Sequence, residues 1–320
     1  MGEATRGIHH VTAIAGDPQQ NVDFYTGVLG LRMVKQTVNF DDPGTYHLYY
    51  GDEQGRPGTI MTFFPWKGAP RGSLGAGQTS TTAFSVPEGS LGFWYDRLLA
   101  TGLPVESPRS RFDEQVLALA DPDGLRLELV AHAGAADLEP WQDGPVTEDK
   151  AIRSFFGVTL LERSLEATAS VLTESFGYVE KDSAGARHRF VTPAGSAGSV
   201  VDIVVRPDEG FGRVAVGSVH HVAFRVADDE AQSLWRERAA AHGLNVTSVR
   251  DRTYFRSVYF REPGGVLFEV ATDVPGFAID ESVAQLGSRL RLPDWLESQR
   301  GDIERRLEPL TPATVGAVAS

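Results

Sequence analysis

Two histidine pairs and one glutamate in an apolar segment are the side chains of this sequence with the clearest capacity for chemistry. The pairs are His9–His10 and His220–His221, and Glu269 lies in the segment VLFEVA. Two histidines and one carboxylate form the facial triad that binds non-haem Fe(II) and leaves coordination positions open for substrate and dioxygen. Because the chain contains no cysteine, a metal would have to be held by His, Asp or Glu.

Strand alternation places one residue of each group on a common surface. Successive side chains of a strand point to opposite faces, and the apolar residues of HHVAFRV occupy the face that a helix covers, so His221 points the other way. The same alternation turns Glu269 of VLFEVA and His10 of HHVTAIA to that opposite face. A lone His or Glu in a strand is more often structural, but the matched facing of three such residues predicts that His10, His221 and Glu269 bind one divalent metal.

The elements that would position these residues belong to a diverged internal repeat. The segment beginning at His220 aligns with the segment beginning at Ser80, and the segment beginning at His9 aligns with the one beginning at Phe156. Each quarter reads as a strand, an amphipathic helix and several further strands. We therefore expect an α+β fold of four βαβββ modules paired into two half-barrel domains.

Composition shifts and turn-rich connections give the boundaries of these units. The modules are predicted at 8–66, 79–132, 153–206 and 218–272, with an N-terminal domain at 1–150, a C-terminal domain at 151–272 and a tail at 273–320. In the first module, Asp17 is the expected N-cap of a helix, Pro18 its first residue and Gly30 its end. The tail is predicted to contain a short charged helix, in LPDWLESQRGDIERRLEPL, that packs outside the repeats.

The repeat also predicts that one of the two cups formed by these domains carries no metal. Thr81 stands at the position that matches His221, and Gly157 stands at the position that matches His10. Glu128 matches Glu269 but has no histidine partner. We therefore expect Glu128 to be a structural or vestigial carboxylate.

Two further features are interpreted as structural. His47 and His188 occupy matching positions in the sequence alignment of the repeats, and a residue needed in both halves favours an architectural role. The glycine-rich segment GSLGAGQTS lacks the lysine of a phosphate-binding loop and is expected to be a connection between modules.

Composition excludes several classes of partner. The 320 residues include 30 Lys and Arg and 43 Asp and Glu, which gives a net charge of −13 and a field that repels a polyphosphate backbone. No apolar run approaches the length of a membrane-spanning helix, and MGEATRGIHHVTAI lacks the apolar core of a signal peptide. We expect a cytoplasmic protein that binds neither nucleic acid nor membranes.

Four segments carry a resemblance to a known family. HHVTAIAGD, YHLYYGDEQGRPGTIMTFFPW, HHVAF and RDRTYFRSVYFREPGGVLFEVATD resemble the vicinal-oxygen-chelate (glyoxalase/bleomycin-resistance/extradiol dioxygenase) superfamily, and within it the Fe(II) ring-cleaving dioxygenases of hydroquinones. The resemblance implies that His10, His221 and Glu269 bind the metal, which are the same three ligands that strand alternation predicts. The residues that it implies around a bound phenol are Thr12, His220, Arg252, Tyr259 and His9. Strict alternation would turn His9 and His220 away from the cup unless the strands are bulged there.

The function that this resemblance implies is an Fe(II)-dependent dioxygenase that inserts both atoms of O2 into a hydroquinone-type diphenol. Mn(II) is the alternative metal, the partners are a small aromatic diphenol and O2, and a homo-oligomer is compatible with the sequence. The rival functions are a catechol extradiol dioxygenase, a glyoxalase-like isomerase and a metal-free protein that binds an aromatic drug. Glyoxalase-type sites usually have four protein ligands, and GTIMTFF offers no carboxylate for the fourth.

Overall fold

The structure, a computed structural model, describes residues 5–311 apart from 194, 196 and 197. Residues 312–320 of the predicted tail lie outside the described residues. The strands of the described residues are β1 Ile8–Ala15, β2 Arg32–Asn39, β3 Asp42–Gly51, β4 Ile60–Pro65, β5 Gln78–Val86, β6 Arg109–Arg111, β7 Glu114–Ala120, β8 Arg126–Ala131, β9 Ser154–Glu162, β10 Val179–Ala184, β11 Arg187–Val191, β12 Val200–Val205, β13 Ser218–Val226, β14 Arg250–Asp251, β15 Phe255–Arg261 and β16 Leu267–Pro275. The α-helices are α1 Pro18–Val22, α2 Leu91–Leu99, α3 Glu166–Ser170, α4 Asp229–Ala241, α5 Asp294–Glu297 and α6 Arg300–Arg306.

The strands form two sheets of eight, which confirms the α+β fold of four modules. The first sheet has the strand order β14-β15-β16-β13-β1-β4-β3-β2, and the second has the order β10-β11-β12-β9-β5-β8-β7-β6. Module one therefore shares a sheet with module four, and module two shares a sheet with module three. Neither sheet is confined to one of the predicted domains, 1–150 and 151–272, because the chain crosses to the second sheet after its first module and returns before its last.

The first strands of the paired modules join each sheet at its centre. Strand β1 pairs with β13 in antiparallel fashion, and β5 pairs with β9 in the same way. The connections that cross between the sheets also touch each other, with Ser73 bridged to Arg213 and Ala76 bridged to Phe211. The four modules are thus two pairs related by an approximate internal symmetry.

The first helix begins as predicted and then widens. The Asp17 side chain accepts a backbone hydrogen bond from the first turn at 3.0 Å, Pro18 opens the helix, and Gly30 follows it with φ of 71°. Beyond α1 the helix continues with π-helical geometry over Asp23–Val28, and the same widening follows α3 over Val171–Ser175. Its recurrence in modules one and three is a second sign of the repeat.

Aromatic side chains fill the space between the helices and the sheets. Trp94 of α2 and Trp235 of α4, which the repeat aligns, are both fully buried. Each indole N–H donates to a backbone carbonyl, Trp94 to Lys150 at 2.9 Å and Trp235 to Ser175 at 3.0 Å. Each indole is therefore buried without leaving its N–H group unpaired. None of the described helices is both long enough and apolar enough to cross a membrane.

The tail packs outside the repeats, but its predicted single helix is two short ones, α5 and α6. The buried residues Leu296, Ile303 and Leu307 join the core, so the tail is anchored by apolar contact. Tyr46 of β3 donates to the Glu308 carbonyl at 2.8 Å, which ties the tail to the first module.

A pair of buried carboxyl groups lies where a turn of the fourth module docks on the third module. Glu262 accepts hydrogen bonds from Thr168 at 2.7 Å and from two backbone amides of its own turn, whereas one carboxyl oxygen of the nearby Glu162 has no partner among the described residues. Burial, followed by the charge of Glu262, raises the pKa of Glu162 from 4.5 to about 8. The folded chain therefore holds a proton that the unfolded chain has lost, and stability falls as pH rises through that window.

Replacing Glu162 with Gln is expected to weaken this pH dependence. The variant should gain about 1–3 kcal/mol in free energy of unfolding over the wild type between about pH 5 and about pH 9, because the amide has no proton to lose. Urea unfolding at both pH values measures the gain. The control is Glu166→Gln on the exposed face of α3. An unchanged pH dependence in Glu162→Gln would show that this carboxyl titrates normally.

Candidate metal centre

The three predicted ligands converge on one point at the base of the cup formed by the first sheet. The Nε2 atoms of His10 and His221 are 3.3 Å apart, and the Glu269 Oε2 atom lies 3.4 Å from the first and 2.9 Å from the second. All three side chains are buried. Among the described residues, no other group of three His, Asp or Glu side chains is arranged to hold a metal ion.

The sheet itself brings these distant residues together. His221 lies on β13, which pairs with β1 on one side and with β16 on the other. Thr12 is the cross-strand neighbour of His221, and Tyr259 is the neighbour of Glu269. The centre can therefore form only when the first and fourth modules share a sheet.

The three donor atoms are arranged to bind a divalent cation and do not satisfy one another by hydrogen bonding. Ser257 donates its hydroxyl to Glu269 Oε1, which leaves Oε2 buried and without a hydrogen-bond partner. An unpaired buried carboxylate oxygen is costly, and two imidazole nitrogens beside it offer the same kind of lone pair. Ligands on neighbouring positions of an octahedral metal at about 2.1 Å are about 3.0 Å apart, close to the separations seen here.

The protonation states at the centre also suit metal binding. Burial lowers the pKa of His221. Burial opposes ionisation of Glu269, but the adjacent His10 and His221 rings hold its pKa well below the ordinary value. A neutral imidazole and an ionised carboxylate are the forms that bind a metal.

Both strands are bulged where the prediction required it. The register of β1 against β13 shifts between Ile8 and His10 and again between Thr12 and Ala13. The first shift leaves His9 as an extra residue on β1, and the second leaves His220 as an extra residue on β13. These bulges explain how two adjacent histidines in each pair reach the same face of the sheet.

The bulges belong to the fold and not to the metal site. The second sheet has register shifts at the equivalent places of β5 and β9, where the extra residues are Ser80 and Phe156. Both sheets thus have the bulged backbone that turns two adjacent side chains to one face. Only the first sheet has histidines at these positions.

Each preceding histidine supports a predicted ligand. The Nδ1 atoms of His9 and His10 are 2.9 Å apart, and those of His220 and His221 are 2.8 Å apart. If the Nε2 atom of a ligand bears the lone pair, its Nδ1 must carry the proton and donate, so His9 and His220 accept. Burial lowers the pKa of His9 well below its usual value and lowers that of His220 to about 3, so both rings are neutral.

The two supporting histidines differ in their access to the cup. His220 lines the cup, whereas His9 lies behind His10 and packs against Phe255 with ring centroids 5.1 Å apart. His9 can therefore position a ligand but does not face a substrate.

Replacing His9 with Phe is expected to weaken metal binding by about 10–100-fold, because the acceptor that fixes the His10 ring is lost. Phenylalanine is the residue that the second sheet carries at this position, so the backbone tolerates it. Competition with a chelator measures the affinity, and His188→Phe on the surface of β11 is the control. An unchanged affinity would remove His9 from the support of the centre.

Thr12 is connected to the cup through a chain of hydrogen bonds. Its hydroxyl is 2.9 Å from that of Thr62, which is 2.8 Å from His47 Nε2. The Tyr49 hydroxyl is 2.8 Å from His47 Nδ1, so both ring nitrogens of His47 have a hydrogen-bond partner. Thr12 is fully buried and is not part of the cup wall.

His47 lines the cup, and its interpretation as one of an architectural pair with His188 was wrong. The sheet register shows that the position of His47 corresponds to Arg187 in the second sheet. The sequence alignment was displaced by one residue, and a displacement of one turns a strand side chain to the other face. His188 accordingly lies outside the second cup and contacts Glu180 at 3.0 Å.

The cup above the centre has a cavity of about 430 Å³ with largely aromatic walls. This volume suits a single substituted ring. The ring-bearing residues of the wall, besides the histidines, are Phe40, Tyr49, Phe64, Trp66, Phe255 and Tyr259. Alternation within YHLYY and TFFPW could have assigned several of them to this face.

Arg252 and Tyr259 lie together on the wall of the cup, as the resemblance implied. Arg252 donates from Nε to the Tyr259 hydroxyl at 3.2 Å and contacts Asp41 at 3.2 Å. Burial, followed by the charge of Glu269, raises the pKa of Tyr259 above its ordinary value, so its hydroxyl keeps its proton. With its oxygen accepting from Arg252, this hydroxyl can donate into the cup.

A family model and the similar sequences indicate the same protein family. The family model described as the Glyoxalase/Bleomycin resistance protein/Dioxygenase superfamily matches residues 7–129 and 154–270. A Bacillus subtilis (strain 168) protein provisionally named ring-cleaving dioxygenase MhqO is 49% identical over 311 residues, which are 97% of this chain and 98% of the relative. The chlorohydroquinone/hydroquinone 1,2-dioxygenase of Sphingobium indicum is 34% identical over 315 residues, which are 96% of this chain and 97% of the relative.

Comparison with solved structures supports the same fold. The crystal structure of a provisionally named dioxygenase from Bacillus subtilis subsp. subtilis strain 168 has a TM-score of 0.92 at 48% identity and covers 97% of this chain and 99% of its own. Glyoxalase I from Zea mays has a TM-score of 0.62 at 14% identity, over 83% of this chain and 92% of its own, and shows a shared fold alone.

Proposed function

The chain belongs to the Glyoxalase/Bleomycin resistance protein/Dioxygenase superfamily, and we propose that it is an Fe(II)-dependent dioxygenase that cleaves the ring of a hydroquinone-type diphenol. The observation that carries the proposal is the buried group of His10, His221 and Glu269 at the base of an aromatic cup. The names of the relatives support ring cleavage, and one of them names hydroquinone as its substrate.

In this proposal the three ligands hold the metal, and the residues of the cup wall bind and orient the substrate. An Fe(II) ion held by His10, His221 and Glu269 would supply a path for electron density from the bound phenol to dioxygen. The chain's own residues bind and orient the ring between the aromatic walls of the cup. Tyr259 offers a hydroxyl proton to an oxygen of the substrate, and the Arg252 guanidinium keeps that hydroxyl oriented.

His220 acts toward the cup as a hydrogen-bond donor. Its Nδ1 accepts from His221, so the proton of the neutral ring is on Nε2. Together with Tyr259 it provides directed polar groups for a substrate that offers the metal only one oxygen. A catechol can chelate through two adjacent oxygens, whereas a hydroquinone relies on such groups for its orientation.

The first module lacks the carboxylate that the glyoxalase-like alternative would need as a fourth metal ligand. The sheet register places Thr62 at the position in β4 that corresponds to Glu269 in β16. The Thr62 hydroxyl is engaged by Thr12 and His47. A fourth carboxylate ligand, as expected for an isomerase of this type, is therefore absent from that strand position. The complete donor set at the centre likewise opposes the metal-free binding protein.

We expect the Fe(II)-loaded protein to turn over para-diphenols with a higher kcat/KM than catechols. The protein is reconstituted anaerobically with Fe(II), and oxygen uptake is followed with a panel of hydroquinones and catechols. Protein loaded with Zn(II), which has no redox chemistry, is the control, and Mn(II) loading tests the alternative metal. Equal or faster turnover of simple catechols would favour the extradiol alternative, and no turnover with any phenol would contradict the proposal.

A further inference from the structure

The second cup is a cavity whose chemistry has changed from that of the first. Two adjoining cavities of about 420 and 500 Å³ open on the second sheet and share Thr81, Arg109, Arg126 and Glu128 among their lining residues. Thr81 and Glu128 stand where the first cup has two metal ligands. The second cup is therefore open although it lacks the residues for a metal, whereas close packing would normally fill such a space.

Two arginines stand at strand positions that carry ring-bearing residues in the first cup. By sheet register, Arg187 takes the place of His47 and Arg189 takes the place of Tyr49. On the other side, Ala118 is opposite Glu128 where Tyr259 is opposite Glu269. The wall has thus become cationic and aliphatic where the first cup is aromatic.

The carboxylates at the base of the second cup are neutralised. Arg111 holds Glu128 in a two-pronged ion pair at 2.9 and 2.7 Å. Arg189 holds Asp202 in the same manner at 2.8 and 3.0 Å, and Arg187 contacts it at 2.8 Å. These pairs leave no free carboxylate to hold a cation at the base.

An excess of positive charge remains on the outer wall of the cup. Arg109 is paired with Glu106 at 2.7 Å. Arg126 and Arg206 line the larger cavity without an ion pair or side-chain hydrogen bond among the described residues, and Glu209 is the one acidic group there that is likewise unpaired. Two unpaired cations against one anion leave a net charge of about +1, in a chain whose total charge is −13.

We propose that the second cup binds a small organic monocarboxylate with an apolar body. Arg126 and Arg206 receive the carboxylate, because guanidinium groups match its geometry and are weakly hydrated. The body of the ligand lies against the aliphatic residues of the same cavity, Leu161 and Val204. The proposal rests on the second cup alone and does not depend on the activity proposed for the first.

The test uses benzoate as the probe and the full-length, metal-loaded protein, with binding measured by calorimetry. Benzoate should bind saturably, and its uncharged isostere benzamide should not. The double variant Arg126→Gln/Arg206→Gln should bind benzoate about tenfold more weakly or worse, because both charged donors are lost. Both side chains are exposed, so the substitutions leave the core unchanged, which circular dichroism verifies.

Arg250→Gln is the matched control, because Arg250 is an exposed arginine that lines the metal cup. This variant should bind benzoate as the wild type does. Loss of binding in Arg250→Gln would place benzoate in the first cup and overturn the proposal. Unchanged binding in the double variant, equal binding of benzamide, or no saturable binding of benzoate would each overturn it as well.

Discussion

Replacing Glu269 with Gln is expected to lower bound iron far below one ion per chain and to reduce kcat/KM for ring cleavage by about a thousandfold or more. The substitution keeps the volume of the side chain but removes the negative charge that balances the metal. It also replaces a carboxylate ligand with a weakly coordinating amide. Iron content of protein purified without chelator and steady-state oxygen uptake measure the two effects.

Glu128→Gln is the matched control for this experiment. Glu128 occupies the same strand position in the second cup, where it pairs with Arg111 and has no histidine neighbour among the ligand positions. Its replacement should leave iron content at the wild-type value. Stoichiometric iron in Glu269→Gln, or loss of iron in Glu128→Gln, would show that the metal is not held by the proposed ligands.

The second large effect is expected for Tyr259→Phe, which should retain its metal and lose turnover. The lost hydroxyl does not bind the metal, so the metal should be retained. Because the hydroxyl donates a hydrogen bond into the cup, its loss should reduce transition-state stabilisation by about 1–3 kcal/mol, which is about 5–150-fold in kcat/KM. Iron analysis and oxygen uptake with a hydroquinone separate the two properties.

The control for Tyr259→Phe is Tyr46→Phe, which removes a tyrosine hydroxyl that bonds to the tail outside the cup. That variant should keep full turnover. If Tyr259→Phe also retained wild-type kcat/KM, the hydroxyl would have no part in the reaction and the substrate would be oriented by other groups.

The three candidate ligands could be predicted from the sequence because the alternation of side chains along a strand is a local property. One face of each strand is covered by apolar packing, so the residues between the apolar positions must lie on the other face. This holds for His10, His221 and Glu269 whichever strands are paired. The N-terminus of the first helix was predictable for the same reason, since an N-cap and its helix are neighbours in sequence.

The rest of the site depends on which strands pair and in what register. The bulges at His9 and His220 are defined only against the partner strand, more than two hundred residues away in the chain. Ser257 reaches Glu269 because β15 lies beside β16, and nothing in its own segment marks it as a partner. The face of His47 could not be predicted, because only the sheet register reveals a displacement of one residue in the repeat alignment, and such a displacement reverses the face of the side chain.

The pairing of the modules illustrates the same limit. The repeat shows four units, but their order along the chain favours a division near residue 150. The sheets instead join the first unit with the fourth and the second with the third. Long-range strand pairing of this kind is decided by the packing of the whole chain and not by local pattern.

The most direct test of the proposed function is the product of a single turnover by the Fe(II)-loaded protein. Limiting hydroquinone is added to the anaerobically reconstituted protein, oxygen is admitted, and the product is analysed by mass spectrometry while oxygen consumption is recorded. Ring cleavage predicts one O2 consumed per hydroquinone, loss of the aromatic absorption, and a product heavier than the substrate by two oxygen atoms. A product lighter by two hydrogen atoms, formed together with hydrogen peroxide, would mean oxidation to a quinone and would contradict the assignment as a ring-cleaving dioxygenase.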